Sequence, residues 1–230
     1  MKILPLELRK ASYSVRGTQI LKDLSIQLTA GSRTVVLGAN GAGKSSFLRL
    51  CHGLLQPTKG EVIWYGNADA KLYQAFVFQR PILLRRSAIK NVVFALDAMG
   101  KSDGSSLERG MEALTTVGLA GKCHQQARSL SIGEQQKLAI ARATALSPEV
   151  LFLDEPTSSL DPEATTEVEH LINRLHEAGT KIVMTTHNLR QAKRLADDVV
   201  FIHKGAILET SLAKDFFEAP KSKEAASFLC

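Results

Sequence analysis

At 230 residues, with 44% hydrophobic and 23% charged side chains, the chain has the composition of an ordinary globular protein and the length for one large domain. No run approaches about eighteen uncharged apolar residues, which excludes an apolar spanning helix, and the start Met1–Glu7 breaks its apolar stretch with Pro5, unlike a signal peptide. A net charge of +6 would suit nucleic acid, but the basic residues are scattered apart from Arg80, Arg85 and Arg86, so no nucleic-acid partner is expected. Cys51, Cys123 and Cys230 lack metal-ligand spacing, and a reduced, cytosolic compartment is the simplest reading.

Residues 3–30 read as short strands with a turn at Arg16–Thr18, among them Ile20-Leu21 and Leu24–Leu28. The apolar, β-branched run Arg33–Leu37 then leads into Gly38-Ala39-Asn40-Gly41-Ala42-Gly43-Lys44-Ser45, which satisfies G-x-x-x-x-G-K-[ST] and opens a helical pattern to about Leu54. Glycines at these positions let successive backbone N–H groups turn toward one anion, and the helix start adds unpaired amides and its dipole. Lys44 supplies a compact cation for the β- and γ-phosphates, and Ser45 a hydroxyl for Mg²⁺, with Ser46 next to it. Tyr13 reads equally as a base-stacking aromatic or as a half-buried strand residue.

Glu61–Tyr65 is a strand closed by Gly66-Asn67, and Ala75–Phe78 is a short apolar strand ending at Gln79. Helical periodicity takes over in residues 87–147, with helices over Ala88–Met99, Leu107–Val117 and Ser131–Leu146 and a Gly/Ser-rich linker at Gly100–Ser106. The last helix opens with Ser131-x-x-Glu134, a capping box. Val150–Leu153 is a strand buried on both faces, Asp161-Pro162 starts a helix, and Lys181–Thr185, Leu189–Ala196 and Asp198–Ile202 continue the alternation. The pattern predicts an α/β fold with a largely parallel sheet and helices on both faces. It is read as one domain, with residues 1–86 and 148–230 as the core and 87–147 as a helical subdomain.

Asp154-Glu155 falls at the C-terminal end of its strand, the edge where ligands sit in open α/β sheets. Beside a phosphate loop, Asp154 suits a Mg²⁺ ligand and Glu155 a base for the attacking water; without that loop, the pair would read as an acidic helix cap. His187 follows the strand Lys181–Thr185 and can donate a hydrogen bond to the γ-phosphate.

Together these residues resemble the ATP-binding subunits of ABC transporters over essentially the whole chain. The phosphate loop resembles Walker A and Val150–Glu155 Walker B, Gln79 the Q-loop glutamine, Ser158–Asp161 the D-loop and His187 the switch histidine. Leu130–Gln136 is similar to the LSGGQ signature, with Ile132 in place of its first glycine, a change that bears on backbone geometry there, and Glu134 in place of its glutamine. The resemblance implies a P-loop fold with a mixed core sheet, an N-terminal antiparallel β part and a helical subdomain. It implies ATP bound by Gly38–Ser46, with Ser45, Gln79 and Asp154 around Mg²⁺ and Glu155 and His187 catalytic. It further implies an ATP-dependent homodimer in which Ser131, Gly133, Glu134 and Asp161 reach the partner's nucleotide, and Val15 rather than Tyr13 at the base-stacking position.

Integral-membrane permease subunits and, indirectly, a solute-binding protein are the implied partners, which puts the chain on the inner face of the membrane. Arg80–Ser87, apolar residues flanked by cations, is either a permease groove or a locally packed connection; its Phe78–Pro81 lead-in is similar to importers of oxyanions such as tungstate, molybdate and phosphate. No additional regulatory domain is expected before the end at Cys230. The expectation is therefore an ATPase powering import of a small solute. A non-transport ABC ATPase and an ATP-gated interaction module with little hydrolysis are the alternatives.

Overall fold

The computed structural model describes residues 2–66, 69–100 and 104–230. In chain order, β1 (Leu6–Val15) and β2 (Thr18–Leu28) form a hairpin, and β3 (Arg33–Leu37) runs into α1 (Lys44–His52). Next come β4 (Lys59–Trp64), β5 (Gln74–Val77), and the helices α2 (Ala88–Ala98), α3 (Ser106–Thr116) and α4 (Ile132–Thr144). The alternation resumes with β6 (Val150–Asp154), α5 (Pro162–Glu177), β7 (Lys181–Thr185), α6 (Leu189–Leu195) and β8 (Asp198–His203), and ends with β9 (Ala206–Leu212), α7 (Ala213–Glu218) and α8 (Lys223–Leu229).

The main sheet has the order β5-β6-β7-β3-β8-β9; its pairs are parallel except the final β8–β9 hairpin, and a smaller antiparallel sheet has the order β2-β1-β4. The central strands β3, β6, β7 and β8 of the main sheet are mostly apolar on both sides because both faces are covered. Val35, Leu151, Leu153, Ile182 and Met184 pack into the cluster beneath α2–α6, whereas their neighbours Val36, Phe152 and Val183 join Phe47, Leu48 and Cys51 of α1 and the antiparallel sheet. The period-two alternation thus places every second residue in a different core.

Two readings need correction. Ile20-Leu21 and Leu24–Leu28 belong to one strand, β2, bulged where Lys10 and Asp23 both adopt φ 45. Side chains stabilise that irregularity: Lys10 N–H donates to Ser25 Oγ (3.1 Å) and Asp23 N–H to Ser12 Oγ (2.9 Å). After β8, the hairpin strand β9 and two short helices continue the fold beyond the last element that was expected. The expected turn residue Asn67 and residues 101–103 of the expected linker lie outside the described residues.

Between β5 and α2 the chain has no regular structure but is tightly held. Asn91, fully buried on α2, accepts the Leu84 N–H (2.9 Å), and its Nδ2 faces the carbonyls of Leu84, Arg86 and Ser87 at 3.3, 3.2 and 3.0 Å. Arg142 on α4 donates to Ile82 O (2.8 Å). Local packing therefore fixes the backbone, while Ile82 remains 66% exposed, Phe94 43% exposed, and Arg85 and Arg86 face outward.

Candidate active site

The loop after β3 is shaped by close approaches. Gly38 has φ 151, and a Cβ there would lie 2.1 Å from Ile202 O, so any side chain would collide with the β8 backbone. Gly43 (φ 106) caps α1 without a side-chain acceptor, and the first helical bond runs from Phe47 N–H to Gly43 O (2.8 Å). The first-turn amides of Lys44, Ser45 and Ser46 are therefore at the loop mouth, in the arrangement that attracts anions. Ala42 sits in the loop wall, donating to Ala39 O (3.1 Å) and accepting from Gly205 N–H (2.9 Å), while Asn40 and Gly41 are exposed.

Lys44 folds back across the loop: Nζ donates to Gly38 O (2.9 Å) and Ala39 O (3.2 Å) and lies 3.9 Å from Glu155 Oε1. Burial lowers its pKa from the ordinary lysine value, while the negative charges of Glu155 and Asp154 oppose that shift. Ser45 Oγ donates to Asp154 Oδ1 (2.7 Å), and Arg49 Nη2 stands 3.6 Å from Asp154 Oδ2. Asp154 is 2% exposed, and this buried carboxylate beside a serine hydroxyl is an oxygen donor set of the kind Mg²⁺ prefers. Among the described residues no group of three or more His, Cys, Asp or Glu forms a protein cage for a metal, so waters and phosphate oxygens would complete such a site.

Glu155 has the left-handed conformation (φ 45). Its Oε2 lies 3.0 Å from His187 Nδ1 and accepts from Gln79 Nε2 (3.3 Å), which also contacts Ser158 Oγ (3.2 Å). Gln79, expected at the metal, thus gives its amide nitrogen to Glu155 and Ser158, and its amide oxygen is the atom that would ligate a cation. Facing an ionised carboxylate, which only accepts, His187 Nδ1 would be the donor of this contact. A cavity of about 520 Å³ opens from Glu155 and His187 past Ser158, Leu160 and Arg190.

Ser131, Gly133, Glu134 and Asp161 gather around a separate concavity of about 230 Å³ that no phosphate-loop residue lines. Ser131 caps α4 with the full capping box: its Oγ accepts from Glu134 N–H (3.3 Å), and Glu134 Oε2 accepts from Ser131 N–H (3.0 Å). The hydrogen bond from Lys122 holds the Glu134 carboxyl below the usual range. Ile132 leaves this helix start regular and is itself 60% exposed. Gly133 is fixed by packing, since a Cβ there would come 2.9 Å from Ala164 Cβ on α5, whose cap is Asp161. Tyr13 pairs with Leu21 and packs half-buried against the core beside α1, whereas Val15, at the strand end, is 44% exposed.

Thr185 was not singled out from the sequence as a site residue. It lies opposite Asp154 in the β6–β7 register and bonds to both acidic residues; only that pairing distinguishes it from any other threonine ending a strand.

The family described as ABC transporter matches residues 21–158, and the chain belongs to it. The chain is 36% identical over 230 residues to the phosphate import ATP-binding protein PstB 1 of Vibrio parahaemolyticus, covering 92% of this chain and 84% of that one. It is 34% identical over 236 residues to the arginine transport ATP-binding protein ArtM of Bacillus subtilis, covering 97% and 98%. Among solved structures, the dimeric post-hydrolysis state of the ATP-binding cassette MJ0796 bound to ADP and Pi aligns with TM-score 0.79 and 25% identity, covering 90% of this chain and 98% of that one. The chain is thus an ABC-type ATPase, with ATP as substrate and Mg²⁺ as its metal. Among the described residues no helix is long and apolar enough to cross a membrane.

Proposed function

We propose that the chain hydrolyses ATP to drive import of a small oxyanion through separate permease subunits, working as a head-to-tail homodimer on the inner face of the membrane and fed indirectly by a solute-binding protein. One observation carries the hydrolytic part of this reading: the Lys44 ammonium, the Ser45–Asp154 pair and the His187–Glu155 pair converge at the mouth of one amide-rich loop. Gly38–Ser46 grips the triphosphate through backbone N–H groups, and Lys44 exchanges its loop carbonyls for phosphate oxygens. Ser45, Asp154 and Gln79 would hold Mg²⁺, which would supply positive charge to offset that of the phosphates. Glu155 takes a proton from a water as its oxygen attacks the γ-phosphorus, and the bond to the β,γ-bridging oxygen breaks to release ADP. His187 fixes the Glu155 carboxylate through Nδ1, and Tyr13 or Val15 lies against the base.

The concavity around Ser131, Gly133, Glu134 and Asp161 lies apart from the chain's own phosphate loop, so these residues serve a second copy's nucleotide. The MJ0796 cassette, a dimer in its ADP and Pi state, supports that arrangement. The exposed Ile82, Phe94, Arg85 and Arg86 offer an apolar surface with a cationic rim for the permease.

For the cargo, the phosphate-import relative supports an oxyanion, the class that includes tungstate, molybdate and phosphate. The ArtM relative favours a second reading, import of a cationic amino acid. Vesicles containing the ATPase, its permease and its binding protein distinguish the two. ATP-dependent uptake of tungstate, molybdate or phosphate supports the first reading; uptake of arginine alone, or ATP hydrolysis without uptake of any of them, overturns it.

A further inference from the structure

The hydroxyl of Thr185 makes a hydrogen bond to each of the two acidic residues of the site. Thr185 is fully buried at the C-terminal end of β7, directly opposite Asp154 in the parallel register. Its Oγ1 donates to Asp154 Oδ1 (2.9 Å) and accepts the backbone N–H of Glu155 (2.9 Å). That amide belongs to a residue at φ 45, a left-handed backbone conformation that L side chains rarely adopt. A partner for the Glu155 N–H is therefore a partner for the turn that swings Glu155 from the strand toward His187. On the other side, Asp154 Oδ1 receives both Ser45 Oγ and Thr185 Oγ1, so Thr185 retains hold of the carboxylate when the serine hydroxyl turns elsewhere.

We propose that Thr185 is a positioning residue for ATP hydrolysis, whose single hydroxyl sets the distance and angle between the Asp154 carboxylate and the Glu155 turn. Being buried, it touches no substrate; it acts through both neighbours at once. This rests on the roles proposed for Asp154 and Glu155.

Thr185→Val retains the shape and strand preference of the side chain while removing the hydroxyl. The expected result is a fall in kcat of about ten- to a hundredfold, the range for a lost hydrogen bond to a charged group. The Mg²⁺ concentration giving half-maximal rate should rise in parallel, while affinity for a fluorescent ATP analogue measured in EDTA stays at the wild-type value. Thr185→Ser should restore both kcat and the Mg²⁺ midpoint. Thr185→Ala provides the same comparison if the valine variant does not fold. Loss of thermal stability alone, with wild-type kcat and Mg²⁺ midpoint, overturns the proposal. Glu155→Gln, assayed alongside, separates the two levels: if it remains active, the underlying reading is wrong, and if it is inactive while Thr185→Val turns over normally, only the role of Thr185 is rejected.

Discussion

His187 Nδ1 lies 3.0 Å from Glu155 Oε2, pairing an exposed imidazole with a mostly buried carboxylate across the ends of β6 and β7. The contact orients the carboxylate that is proposed to take the proton. Glu155→Gln is expected to reduce phosphate release by about 10²–10⁴, the usual contribution of a general base, while ATP binding persists. His187→Ala should lower kcat less, because Gln79 still donates to the same oxygen. Comparing phosphate release with binding of a fluorescent ATP analogue in each variant checks both statements.

Lys44 is held by two loop carbonyls and two nearby negative charges, so its removal takes a cation from an otherwise formed cradle. Lys44→Ala should weaken ATP binding by about ten- to a hundredfold, as for a lost charge-assisted hydrogen bond. Titration calorimetry giving wild-type affinity would refute this.

The start of α4 touches α5 where Gly133 faces Ala164. Gly133→Ala forces the two helix starts apart, at a cost of about 1–3 kcal/mol for overpacking. Hydrolysis should fall while binding to the isolated chain is kept, and adding Ala164→Gly should restore it. A double variant no better than the single one argues against steric contact as the cause.

Arg85 and Arg86 are exposed and remote from the phosphate loop in sequence, on a segment whose backbone is anchored by Asn91. Replacing both with Ala should reduce uptake in vesicles containing the permease and leave the permease-free ATPase rate unchanged. Uptake at the wild-type level would remove these side chains from the permease surface.

His52 ends α1 edge-on to Phe76 (5.6 Å) and Phe152 (5.7 Å), and burial pushes its pKa down to about 4. The unfolded chain takes up this proton near pH 6.5, the fold only near pH 4, so stability held above about pH 6.5 is lost progressively as the pH falls between those values. Urea denaturation should show a lower midpoint at pH 5 than at pH 7, with a smaller difference in His52→Leu.

Much of this site is written locally in the chain. The glycine loop, the Ser131–Glu134 box and the Asp161-Pro162 start each need only a few adjacent residues, and the structure forms all of them. The apolar runs of β3, β6 and β7 likewise announce strands covered on both faces. Less legible were features that depend on distant pairing. The bulge at Lys10 and Asp23 uses non-glycine residues at positive φ, which leave no glycine signal. Strand β9 is only half-buried with weak alternation, and α7 and α8 are too short to show periodicity. Thr185 became visible only when β6 and β7 stood in register, and the orientation of the Gln79 amide only when Glu155 and Ser158 were beside it.

Asn91 stitches the stretch ahead of α2 to the helix itself, through bonds to Leu84, Arg86 and Ser87. A slack connection would absorb a push at its outer side chains as local bending. Here any displacement of the Arg85–Arg86 segment must either break those bonds or take the head of α2 with it.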